Sequence, residues 1–71
     1  MKYELIHRNE NGSKHSWIAN SREDALGILD QILWTDNEYE ENAGGAIYDC
    51  VERDGVFRDG NEKWELKTFT I

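Results

Sequence analysis

The chain has 71 residues, with 15 acidic and 8 basic side chains, a formal charge of −7 and a single Cys. That length gives one domain, residues 1–71, with one thin core of apolar side chains. One Cys excludes an internal disulfide framework and suits a reducing cytoplasm. The acidic balance argues against a broad basic surface for nucleic acid or anionic membrane. No apolar stretch approaches the length that crosses a bilayer, and Met1-Lys2-Tyr3-Glu4 lacks the apolar run of a signal peptide. Eight aromatic residues spread along the chain argue for a folded rather than a disordered protein.

Residues 2–8 (KYELIHR) are rich in strand formers, with Tyr3, Leu5 and His7 on one face. Asn11-Gly12 then predicts a tight type I′ hairpin turn, in which both central residues take positive φ. Residues 14–19 (KHSWIA) return as a second strand. Ser21 is a helix N-cap, followed by Glu23 and Asp24 where carboxylates favour the positive end of the helix dipole. Ala25, Leu29, Ile32 and Leu33 form an apolar stripe, widened by Ile28. Gly27 weakens this helix, and a close approach to the sheet would account for it. The helix fades after Trp34.

Residues 35–42 read as an acidic connection ending at Gly44-Gly45. Residues 46–53 (AIYDCVER) read as a third strand, with Asp54-Gly55 as a second hairpin turn. Val56–Arg58 is a short strand, Asp59-Gly60-Asn61 turns again, and residues 63–70 form the last strand. The order is ββαβββ. It predicts an α+β fold: an antiparallel sheet of four to five strands with one helix packed on one face. The predicted core is Leu5, Ala25, Leu29, Ile32, Leu33, Val51 and Leu66.

The charge is unevenly placed. From Glu23 through Glu52 there are nine acids and no base; the rest of the chain holds six acids and eight bases. The densest run is Asp36-Asn37-Glu38-Tyr39-Glu40-Glu41, with Trp34 just before it. One reading is a solvated face that maintains solubility. The other is a contact surface for a basic partner, in which clustered carboxylates speed encounter and Trp34 and Tyr39 anchor it. Such carboxylates can also mimic nucleic-acid phosphates.

Catalytic signatures are sparse. Cys50, flanked by Asp49 and Val51, lacks the neighbouring base that a nucleophilic thiolate needs, and reads as a structural strand residue. His7 and His15 lie on the two arms of the first hairpin but show no metal-ligand spacing. No calcium loop or phosphate-cradling loop occurs. The expectation is a non-enzyme with no metal and no cofactor. The cations Lys2, Arg8, Lys14, Arg22, Arg53, Arg58, Lys63 and Lys67 interleave with Tyr3, Trp17, Phe57 and Trp64, which would suit base stacking. Six acids share these segments, so direct nucleic-acid binding ranks third.

The layout of a short acidic chain, with a first hairpin, the helix start SREDALGIL and a DG turn near the end, resembles small phage-encoded inhibitors of bacterial machines. It is similar to anti-CRISPR proteins that act on multisubunit type I effector complexes, and to the small phage inhibitor of bacterial RNA polymerase. The parts that carry the resemblance are Ala19–Leu29 and the run AGGAIYDCVERDGV, residues 43–56. The resemblance implies a stoichiometric, non-catalytic inhibitor, monomeric or homodimeric. Its partner would be a basic protein surface, such as a nucleic-acid-binding subunit of a CRISPR–Cas complex, with no direct nucleic-acid or membrane contact. Asp30, Trp34, Asp36, Glu38, Tyr39, Glu40 and Glu41 would form the binding face. A regulator of another host machine, such as RNA polymerase, or a self-associating accessory domain, is the alternative.

Overall fold

The structure, a computed structural model, describes residues 1–35 and 41–70. Six elements follow one another: β1 (Lys2–Arg8), β2 (Lys14–Ala19), α1 (Arg22–Thr35), α2 (Glu41–Asp54), β3 (Val56–Asp59) and β4 (Glu62–Phe69). The strands form one antiparallel sheet in the order β2-β1-β4-β3. The expected α+β class with a four-stranded antiparallel sheet holds. The expected ββαβββ order does not: the described residues form two helices, and residues 46–53 are helical rather than a strand.

The correction has a local cause. Ile47, Tyr48, Cys50 and Val51 are strand formers, and a DG pair follows them. Their spacing is helical, however. Ile47 and Val51, at i and i+4, are the buried residues of this segment, whereas a strand would also have placed Asp49 on their face. Gly55 is a helix stop, not a hairpin residue. It adopts φ 78° and donates its N–H to the Val51 carbonyl at 2.9 Å, closing α2 with a left-handed cap. Its own carbonyl accepts the Leu66 N–H at 2.8 Å, so the cap leads directly into the sheet.

The first hairpin also differs in detail. Asn9 and Ser13 pair through Asn9 N–H to Ser13 O at 3.0 Å, leaving a three-residue loop, Glu10-Asn11-Gly12. Only Gly12 takes positive φ, at 91°. This is a tight turn followed by a left-handed glycine rather than a type I′ turn. The side-chain carbonyls of Asn9 and Asn11 both accept the Ser13 N–H, at 3.0 and 2.9 Å. The β3–β4 loop is Gly60-Asn61, with Gly60 at the first position and φ 61°, as a type II′ turn requires.

Helix α1 starts as expected. Ser21 Oγ accepts the Asp24 N–H at 3.1 Å and the Ser21 carbonyl accepts that of Ala25. Both helices cover the sheet face that carries Leu5, Trp17, Phe57, Trp64 and Leu66. Leu5, Leu26, Leu29, Leu33, Ile47, Val51 and Trp64 are the continuous core. Of the expected core, Leu5, Ala25, Leu29, Leu33 and Val51 are buried, while Ile32 and Leu66 pack against it partly exposed. Gly27 is not at a close approach. It faces solvent, and a Cβ there would meet nothing within 4 Å. Gly27→Ala therefore stabilises α1 by about 1 kcal/mol. The check is a rise in thermal midpoint of about 4–8 °C.

Candidate functional site

The fold separates the charges. Residues 22–54, both helices and their connection, hold ten acids and two bases; the remaining residues hold five acids and six bases. Glu23, Asp24, Asp30, Asp49, Glu52 and Asp54 are all exposed. The two helical cations are engaged locally. Arg22 donates to the Glu52 carbonyl, tying the start of α1 to the end of α2. Arg53 donates to the Asp54 carboxylate at 3.0 and 3.2 Å, and that hydrogen bond raises the guanidinium further above its usual range.

On α1, positions 23, 27, 30 and 34 fall on one line at helical spacing, so Glu23, Gly27, Asp30 and Trp34 form an outward stripe. Trp34 is 68% exposed. Its indole N–H donates to Asp30 Oδ1 at 2.9 Å, which fixes the ring on the helix surface without covering it. Asp49 and Glu52 give α2 a corresponding acidic line.

Of the expected binding residues, the structure thus brings Asp30 and Trp34 into direct contact. Asp36, Glu38, Tyr39 and Glu40 lie outside the described residues, as does the Glu41 side chain; the Glu41 backbone opens α2. Gly27 was missed as part of this stripe, although its spacing from Asp30 and Trp34 is legible in the sequence.

The titratable groups of the first hairpin do come together. His7 and His15 are cross-strand neighbours. His7 stacks on Trp64, with ring centroids 4.0 Å apart and planes 9° from parallel. Its Nε2 lies 3.1 Å from Glu62 Oε2. His15 leans on Trp17 instead, at 6.3 Å. Both His7 and Glu62 are well covered, so the pair fixes the edge of the core where the two hairpins meet. Among the described residues no three His, Cys, Asp or Glu side chains are grouped to hold a metal ion. Cys50 is half-buried on α2, not in a strand. No described helix is long and apolar enough to cross a membrane. No family model, curated protein or solved structure matches the chain.

Proposed function

We propose that this chain is a non-catalytic inhibitor that docks its acidic helical layer on a basic protein surface, of the class that phage-encoded anti-CRISPR proteins represent. The partner is a nucleic-acid-binding subunit of a bacterial effector complex, whose cations the carboxylates occupy in place of phosphates. One observation carries this reading: Trp34, a large aromatic side chain, is held open to solvent by Asp30 within an acidic surface. Exposed, pre-positioned Trp side chains are characteristic energetic anchors of protein interfaces. Gly27 adds to it. A helix-interior glycine with open space around it lowers stability, and on this stripe it leaves the surface two turns before Trp34, beyond Asp30, clear of any side chain.

The test is capture from a bacterial lysate with tagged protein, followed by mass spectrometry and an equilibrium measurement against the captured subunit. Trp34→Ala is expected to weaken binding by about 30-fold or more, the effect of an interface anchor worth about 2 kcal/mol. Replacing Asp36, Glu38, Glu40 and Glu41 together by Ala is expected to abolish inhibition while the circular dichroism spectrum stays unchanged. A captured basic subunit that binds both variants as tightly as the unaltered chain rejects this surface.

A further inference from the structure

Six of the eight cations lie where the linear sequence does not suggest they meet. The helices cover one face of the sheet; the strand alternation puts Lys2, Arg8, Lys14, Arg58, Lys63 and Lys67 on the other, with Glu4 and Glu65 as its acids. This open face is positive although the chain is strongly negative. At physiological ionic strength charges are screened over about 8 Å, so each face presents its own sign to what approaches it.

Four of these cations form a single row. Lys14 pairs with Arg8 across β2 and β1, Arg8 with Lys63 across β1 and β4, and Lys63 with Arg58 across β4 and β3. The row thus crosses the whole sheet, over about 14 Å for three inter-strand spacings. Like charges directly opposite one another destabilise a sheet, and little offsets them here. Glu65 lies 3.6 Å from Lys63 but is shared with Lys67 at 3.7 Å. Among the described residues, no carboxylate reaches Arg8, Lys14 or Arg58. Beside the row is a shallow depression lined by Ile6, Arg8, Lys14, Lys63, Glu65 and Lys67.

We infer that this open sheet face binds the sugar–phosphate backbone of a single-stranded nucleic acid laid across the strands. The row supplies charge in a line, which a phosphodiester chain complements. Trp17, Phe57 and Trp64, which a protein partner would use as anchors, point to the helices on the opposite face, and the open face's own aromatic, Phe69, pairs with Lys2 at the other end of β4 from the row. For the same reason the bases are not stacked on the row, and recognition is of phosphates rather than of sequence. A flexible single strand can place consecutive phosphates along a short straight row, whereas a duplex presents a stiff cylinder. This inference goes beyond the acidic-surface reading and uses the face that reading leaves unoccupied. It gives direct nucleic-acid contact a location by separating the cations from the acids that share their sequence segments.

The test is fluorescence anisotropy of a labelled oligodeoxythymidine of roughly 12 nucleotides, within the usual site size of single-strand binders. The full chain is expected to bind it at about 50 mM salt and to lose about 20- to 50-fold in affinity by about 200 mM, for three to four neutralised phosphates. Arg8→Glu with Lys63→Glu is expected to lower affinity at least tenfold. The pair Arg22→Glu with Arg53→Glu changes net charge equally but lies on the helical layer, and is expected to leave affinity within about twofold. Lys63→Glu alone faces Arg8 and Arg58, so it should raise the thermal midpoint by about 2–6 °C while weakening binding. That opposition separates a ligand-binding role from a structural one. Four outcomes overturn the inference: no binding at low salt; equal losses from the two charge-reversed pairs; displacement by polyglutamate as effective as by unlabelled oligonucleotide, which marks an acidic protein as the occupant; or tighter binding of the corresponding duplex.

Discussion

Trp64→Ala is expected to leave the chain without a cooperative unfolding transition at 37 °C. Trp64 has no exposed surface, is the largest fully buried side chain and sits on the central strand β4. It receives His7 on one side at 4.0 Å and Trp17 at 6.2 Å. Truncating a buried Trp costs about 3–5 kcal/mol, against a total stability of roughly 4–10 kcal/mol for a chain of this length. The loss corresponds to a midpoint lower by about 20 °C or more. Trp64→Phe is the informative companion. Among the described residues the buried Trp64 indole N–H has no hydrogen-bond partner, a state that costs about 1–3 kcal/mol. Phenylalanine removes that orphan donor while keeping an aromatic face for His7. It should therefore lose less than half of what alanine loses. Urea titrations of both variants, followed by far-ultraviolet circular dichroism, provide the check. Alanine removes the same donor, so equal losses would show that the aromatic face kept against His7 and the smaller cavity contribute nothing.

The second large effect concerns residues 41–54, where helix and strand readings of the sequence compete. Asp49 is exposed in the middle of α2, so substitutions there act through the backbone. Asp49→Pro removes a helical hydrogen bond and clashes with the preceding turn, at a cost of about 3 kcal/mol or more. Asp49→Ala should instead stabilise by about 0.5 kcal/mol, because alanine has the higher helix propensity. In a strand alanine would gain less than a β-branched residue, so Asp49→Val is the discriminating companion: valine matches aspartate in a helix and far exceeds alanine in a strand. An alanine variant more stable than the valine variant, measured by thermal melting, establishes the helix. A valine variant more stable than the alanine variant would argue against it.

These two positions show what the sequence made legible. β1, β2, α1 and β4 could be read directly, because each combines one clear period with turn or capping residues at its ends. Helix α2 could not. Its two core residues are both β-branched, and its opening turns contain Gly44 and Gly45. Its stop signal, Asp54-Gly55, is chemically the same dipeptide that turns a hairpin. A glycine that needs positive φ does not reveal which element precedes it. Trp64 was placed on the alternating face of β4, but nothing local marked it as the centre of the core. That position follows from β4 pairing with both β1 and β3. The Asp30–Trp34 contact was legible as an i, i+4 relation on a helix. The cationic row was not, because residues 8, 14, 58 and 63 align only through three separate strand registers.

The strand order has a consequence for how the protein is made. β1 and β4, residues 2–8 and 62–69, are neighbours in the middle of the sheet. The central pairing therefore joins segments some 60 positions apart along the chain. Contacts of such long sequence separation slow folding, because loop closure comes before its reward. During synthesis, β1 and β2 with both helices emerge well before β4 is available. Until then one side of β1 is an unpaired edge that can template association with another chain. Nascent chains halted before residue 62 should remain protease-sensitive, with protection gained in one step once β4 clears the ribosome.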